Sequence, residues 1–346
     1  MNILIIGGTG FLGQRLVRKL HAAGESIFLC VRSQSLDKAK NIFSDLSEIT
    51  YLKGNIEHTD LLTDIGQTEQ VTDKIECVVH LAANYQLDIS SSTAYLQNVM
   101  GTQNVIKFLS RLTKLKYFHY FSTYAVNQLI HGRILENELI ESNSPFFDQY
   151  AKSKNNAEHL VRELSPKHIS TIIHRPGIIV GDSQTGIRDK DDGPYYFFNF
   201  IQQTKKLGPA TKKIKFLPLP VQDDSLMPVL PVDTLIEWSS QIILSPKDRP
   251  LSCYHLIPKS VIRTKDFLQL AIDLLGSPLK IICVPRTRIF HPLFKLLRLP
   301  KELVFYMKQQ AYLDRTQLST DYPHLTEPDY QTYMPKLIET FLGDKQ

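Results

Sequence analysis

A Rossmann-type α/β fold, with a doubly wound parallel sheet, is predicted by three observations. Short apolar runs alternate with segments of helical spacing through the first half of the chain. The first run, NILII, passes directly into a glycine turn, and Leu12, Leu16, Val17, Leu20 and Ala23 then recur at the period of one helix face. Strand, turn, helix and strand repeated in this way cannot close antiparallel hairpins, so the strands must lie parallel with helices on the sheet faces.

Taken in order, strands are expected at 3–6, 27–31, 49–52, 77–81, 117–122 and 171–174. After Gly181 the pattern loosens into DSQTGIRDKDDGPYYFFNF and then a stretch punctuated by Pro218, Pro220, Pro228 and Pro231. The segment MPVLPVDTLIEWSSQIIL reads as a strand and helix that rejoin the sheet. The expected organisation is a nucleotide-binding domain over 1–181, joined again by 227–245, and a smaller, discontinuous substrate-binding region over 182–226 and 252–346.

Composition narrows the function classes. The 346 residues hold 42% hydrophobic and 22% charged residues, enough to bury a large core. A net charge of +5, without a run of like charges, gives no footprint for nucleic acid. Cys30, Cys77, Cys253 and Cys283 lack a C-x-x-C spacing and are expected to be reduced. The 11 histidines form no metal-binding pattern; His80, His119 and His174 are expected to be strand residues satisfied by the backbone, with no metal. The opening MNILIIGG is a strand rather than a signal peptide, and no apolar run is long enough to span a bilayer, so a cytoplasmic location is expected, with contact at a membrane surface left open.

The turn GGTGFLG places Gly7, Gly10 and Gly13 between a strand and an amphipathic helix. There they allow a tight turn and let the free N–H groups of the helix N-terminus approach a pyrophosphate. Thr9, Phe11 and Leu12 belong to the same cradle. At the end of the second strand, where an acid would bind the ribose of NAD, the sequence reads Cys30, Val31, Arg32, Ser33. Arg32 can take a 2′-phosphate with two hydrogen bonds and Ser33 can add a third, which favours NADP(H) over NAD(H).

The G-x-x-G-x-x-G spacing resembles that of the extended short-chain dehydrogenase/reductase superfamily. HLAA at 80–83 resembles its fourth-strand motif, assigning Leu81, Ala82 and Ala83 to the coenzyme. NVMGT places Asn98 on a helix beside the nicotinamide, and HRPGI resembles the R-P-G strand end, assigning Arg175, Pro176, Gly177 and Ile178. GNI at 54–56 stands where the superfamily usually has an Asp against adenine; Asn55 departs from it, leaving Asn55 and Ile56 as the contacts there. P-V-D at 231–233 resembles another turn, in which Asp233 is expected to cap a helix.

Tyr150 and Lys154 lie in FFDQYAKSKNNAEHLVREL, where Asp148 can cap a helix and Ala151, Ala157, Leu160, Val161 and Leu164 mark its apolar face. The i, i+4 spacing puts phenol and ammonium on one side, where the ammonium can lower the phenol's pKa. FSTYAV resembles the superfamily's catalytic Ser/Thr segment and places Thr123 at the catalytic hydroxyl. The resemblance implies hydride delivery to a carbonyl carbon, proton donation from Tyr150, a hydrogen bond from Thr123 to the carbonyl oxygen, and Lys154 holding the ribose.

VGDSQTG followed by DGPYYFF looks like the thioester-reductase or fatty acyl-CoA reductase branch, with its male-sterility-type NAD(P)-binding domain. This implies a lipid-like carbonyl substrate, an acyl thioester or an aldehyde. Tyr195, Tyr196, Phe197, Phe198 and Phe200 suit either an alkyl channel or a packed core. RTRIFHPLFKLLRLPKELVFYMKQQ mixes Phe290, Leu293, Phe294, Leu296 and Leu297 with Arg286, Arg288, Lys295, Arg298 and Lys301, which suits a membrane-surface element or an amphipathic cap over a cleft; Pro292 and Pro300 keep any helix there short. The rival readings are a nucleotide-sugar epimerase or dehydratase, a sterol or 3-hydroxy dehydrogenase, and an NADP-sensing protein without turnover. The resemblance also leaves open a homodimer through the helices flanking Tyr150.

Overall fold

The computed structural model describes residues 1–86, 89–128, 130–206, 215–284, 306–308 and 310–344. Its centre is a seven-stranded parallel sheet: β1 (Asn2–Ile6), β2 (Ser26–Val31), β3 (Thr50–Lys53), β4 (Cys77–His80), β5 (Tyr117–Phe121), β6 (Ser170–Pro176) and β7 (Leu251–Leu256), in the order β7-β6-β5-β4-β1-β2-β3. The chain builds outward from β1 through β2 to β3 and then crosses to β4 on the other side of β1. This reversal opens a crevice at the carboxyl ends of β1 and β4, the place where a doubly wound sheet receives a ligand.

The period-two rule of a strand sorts β1 between two cores. Leu4 and Ile6 pack with Val105, Phe108 and Leu109 of α5 (Gly101–Leu109) and with Ala157 and Val161 of α6 (Gln149–Leu164). Ile3 and Ile5 pack on the opposite face with Leu16, Val17 and Leu20 of α1 (Phe11–Ala22) and with Ile236 and Ile243 of α8 (Val232–Leu244). The remaining helices, in chain order, are α2 (Leu36–Ile42), α3 (Ile65–Val71), α4 (Ser91–Ala94), α7 (Pro194–Lys206), α9 (Thr264–Leu274), α10 (Thr316–Asp321) and α11 (Tyr330–Gly343).

The seventh strand corrects the expected boundary. The run 227–231 gives only a short strand, Val229–Pro231, paired with Ile178–Val180 apart from the main sheet. The strand that completes the sheet is β7, parallel to β6, inside the stretch assigned to the substrate region. Pro231 cannot donate to a ladder, so VLP cannot extend as a central strand, whereas all of SCYHL is buried.

The smaller region packs α7, α9 and α11 around an apolar core that includes Phe198, Phe267 and Phe341, all fully buried. GDSQTG is a locked turn beside it. Asp182 accepts from the backbone N–H groups of Gln184 and Thr185, and Asp233 accepts from both the N–H and the hydroxyl of Ser183. Asp233 therefore holds this turn rather than capping α8. The basic, aromatic stretch at 286–301 expected at a membrane surface or over the cleft lies outside the described residues. Among the described residues, no helix is long and apolar enough to cross a membrane.

Candidate active site

A cleft of about 1380 Å³ runs along the carboxyl ends of the strands. Gly7, Thr9, Gly10, Phe11, Leu12 and Gly13 form one end of its lining. Gly7 has φ +95, and a Cβ there would lie 2.6 Å from the backbone nitrogen of Ala82. A Cβ on Gly13 would lie 2.3 Å from the carbonyl oxygen of Gly7, so only glycine lets α1 start this close to β1 and β4. Gly10 caps α1 without a side-chain hydrogen bond to the first N–H groups, and the first turn carries no acid. Backbone N–H groups and the positive end of the helix thus face a cradle that fits a pyrophosphate.

Further along, Arg32 lines the cleft at the end of β2 and is exposed, while Ser35 rather than Ser33 joins it. Among the described residues Arg32 forms no ion pair. Asn55 and Ile56 line the cleft, and the Asn55 side chain accepts from the N–H of Glu57, which shapes the turn. Leu81, Ala82, Ala83, Pro176, Gly177 and Ile178, also expected at the coenzyme, line the same cleft.

Two expected coenzyme contacts lie elsewhere. Asn98 sits in a π-helical turn, Tyr95–Met100, and is buried. It donates to the carbonyl of Asn84 and the hydroxyl of Ser153, while the Asn84 N–H donates to it at 2.7 Å, so it ties the loop after β4 to α6 instead of lining the cleft. Arg175 is also fully buried. Its guanidinium holds Glu158 at 2.6 and 3.1 Å and donates to the carbonyls of Glu136 and Glu138. A guanidinium with every branch engaged inside the protein has no donor left for a coenzyme.

Asp148 caps α6, accepting from the Ala151 N–H at 2.7 Å, and this fixes Tyr150 one turn ahead of Lys154. Tyr150 is half-buried, and both it and Thr123 line the cleft. Burial pushes the Tyr150 phenol well above its ordinary pKa; Asp148 adds to this and Thr123 opposes it. The expectation that Lys154 lowers this pKa is therefore corrected. Lys154 is buried and donates to the carbonyl oxygen of Phe121 at 2.6 Å, and burial pulls its own pKa down to about 7 against the opposing charge of Glu158.

Glu158 is the residue that the sequence reading missed. It lies one turn beyond Lys154 with no exposed side-chain surface and accepts from Ser122, Arg162 and Arg175. Burial alone would raise its pKa, but Arg175, Arg162 and Ser122 together outweigh that and hold the carboxyl at about 2. The available signal was the i, i+4 continuation Tyr150, Lys154, Glu158, Arg162 along one helix face. The histidines differ too: His80 meets the Thr102 hydroxyl, and His119 and His174 meet each other at 3.0 Å, so their partners are side chains.

The same cleft is also lined by the apolar Ile178, Tyr196, Phe197, Met227, Leu268 and Met307 and by the charged Arg188, Asp189, Lys190 and Asp192. The aromatic run is divided: Tyr195, Tyr196 and Phe197 reach the cleft, whereas Phe198 and Phe200 belong only to the core.

The sequence profile of the family described as male sterility protein matches residues 5–238. The chain is 22% identical over 222 residues to the NRPS-like oxidoreductase fscA of Fusarium equiseti, covering 60% of this chain and 21% of that one. It is 25% identical over 298 residues to the aldehyde reductase lnbA of Aspergillus flavus (80% and 28%). It is 31% identical over 189 residues to an N-acetyl-glucosaminyl-diphospho-undecaprenol 4-epimerase of Escherichia coli O157:H7 (54% and 51%). The chain spans from 4% to 51% of the length of these and comparable curated relatives. Among solved structures, the terminal R domain of the myxalamid PKS-NRPS pathway superposes with a TM-score of 0.77 at 21% identity, covering 99% of this chain and 91% of that one. WbmG of Bordetella bronchiseptica, solved with NAD and UDP, superposes at 0.65 and 17% identity (99% and 94%). At these identities the superpositions show a shared fold.

Proposed function

The chain belongs to the male sterility protein family of extended short-chain dehydrogenase/reductase enzymes, and from that premise we propose that it is an NADPH-dependent reductase acting on the carbonyl of a fatty acyl thioester or fatty aldehyde. The observation that carries the reading is that Thr123, Tyr150 and Lys154 share one cleft with the glycine cradle and with the apolar side chains Ile178, Met227, Leu268 and Met307. A bound reduced nicotinamide supplies the hydride. Gly7, Gly10 and Gly13 hold the pyrophosphate, and Arg32 binds a 2′-phosphate.

Tyr150 then acts as the proton donor. A phenol kept protonated by burial suits the reductive direction, because the carbonyl oxygen gains a proton as its carbon gains hydride. Thr123 donates a hydrogen bond to that oxygen, and Lys154 steadies the ribose side of the cleft. Ile178, Met227, Leu268 and Met307 offer an apolar wall to an alkyl chain.

The deciding experiment is NADPH oxidation against long-chain aldehydes, acyl-CoA thioesters and sterols, with conversion of UDP-sugars followed separately by chromatography because epimerisation consumes no NADPH. Activity with the first two supports the proposal; turnover of sugars alone overturns it. That outcome would favour the second reading, a nucleotide-sugar epimerase, for which the 31% identity to the Escherichia coli 4-epimerase is the supporting observation.

A further inference from the structure

Lys154 is seated on an aromatic face that no motif of the sequence marked. Its Nζ lies 4.2 Å from the centroid of the Tyr120 ring, within the range of a cation–π contact. Tyr120 is a fully buried residue of β5, next to Phe121, whose carbonyl accepts a hydrogen bond from that ammonium. The ring is fixed by complete burial in β5 and lies 5.6 Å from the His80 ring. An ammonium has three donors. With one engaged by Phe121, the quadrupole of the ring supplies attraction from a second side in a setting where water supplies none.

We infer that Tyr120 is a positioning residue for Lys154, its ring face holding the lysine as an ammonium at the wall of the coenzyme cleft. The charged and titratable groups around the amine leave room for this role. On α6, Tyr150 and Glu158 stand one turn to either side, but Glu158 already carries Arg162, Arg175 and Ser122. On β4, His80 faces it, and burial keeps that imidazole neutral, with a pKa of about 3. From β6, Arg175 adds a like charge that Glu158 offsets. Tyr120, like the Phe121 carbonyl, attracts the ammonium without itself carrying a charge. The inference rests on the reductase reading only for the use to which Lys154 is put.

The test compares Tyr120→Phe, which keeps the ring face and loses the hydroxyl, with Tyr120→Leu, which fills the site without a π system. The protonation of Lys154 is read without coenzyme, from the pH dependence of its carbamoylation by cyanate, localised by peptide mass spectrometry with Lys152 as the exposed reference. The wild-type protein and Tyr120→Phe are expected to share one midpoint, and Tyr120→Leu to fall by about one pH unit, a tenfold change in the proton affinity. Binding of NADPH, followed by fluorescence, is expected to fail at a correspondingly lower pH in Tyr120→Leu while remaining unchanged at pH 6.

An unmoved midpoint in folded Tyr120→Leu overturns the inference. So does an equal shift in Tyr120→Phe, which would assign the effect to the hydroxyl and not to the ring face. If Tyr120→Leu does not fold, Tyr120→Met replaces it with the same expected shift. Absence of dinucleotide binding at every pH, with the cyanate midpoints as expected, would refute the coenzyme reading and leave the seat intact.

Discussion

The Lys154 ammonium donates a 2.6 Å hydrogen bond to the carbonyl oxygen of Phe121, the last residue of β5, immediately before Ser122 and Thr123. One helix and one strand end are thereby joined at the point where chemistry is expected, so any change in the charge of Lys154 is felt by the segment that presents Thr123.

This junction gives a pH dependence. The pKa of Lys154 is lowered to about 7, so the amine is charged below that pH and increasingly neutral above it. The kcat/KM for reduction, which reports the free enzyme, is expected to fall as pH rises through about 7 to 8. Lys154→Met should flatten that limb and weaken NADPH binding. A limb that persists in the variant would assign the titration to another group.

Tyr150→Phe removes the proton donor and keeps the ring. Turnover is expected to drop by about 10²- to 10⁴-fold with little change in NADPH affinity. Stopped-flow measurement of hydride transfer, beside a fluorescence titration of the coenzyme, separates the two effects.

Glu158→Gln leaves Arg175 without its buried counter-charge. A cost of about 3–5 kcal/mol in unfolding by urea is expected. The sign with pH follows from the lowered carboxylate: stability from this pair is complete above the ordinary pKa of 4.5 and is lost as pH falls toward about 2. The wild-type acid transition should therefore be steeper over that window than the transition of Glu158→Gln.

Arg32→Asp exchanges a candidate 2′-phosphate ligand for a ribose ligand. The ratio of NADPH to NADH binding constants should fall by about ten- to a hundredfold, the value of one or two charge-assisted hydrogen bonds. An unchanged ratio, measured by isothermal titration, would make Arg32 a bystander.

Gly13→Ala places a methyl group 2.3 Å from the Gly7 carbonyl oxygen. Overpacking of about 1–3 kcal/mol is expected, with loss of affinity for both dinucleotides rather than a change in preference. Thermal melting with and without coenzyme reads both.

Strands β1 to β6 were legible because period-two and period-3.6 patterns are properties of adjacent residues, and GGTGFLG was legible because its glycines act within one turn. β7 was not, because SCYHL carries polar residues whose burial is set by neighbours: His255 meets the Asp314 carbonyl and Arg175, and Ser252 is covered by the fold. Asn98 and Arg175 were assigned to the coenzyme by position in a motif. Their partners, Ser153 and Glu158, come from α6, 55 and 17 residues away and outside either motif.

The sequence by itself therefore determined the fold class, the glycine cradle and the spacing of Tyr150 and Lys154, because each is a local relation along one chain segment. The tertiary structure alone decided the protonation tendencies of that pair and the division of the aromatic run between cleft and core. Burial and the direction of a buried charge's partners are sums over elements brought together by folding, and no window of the sequence contains them.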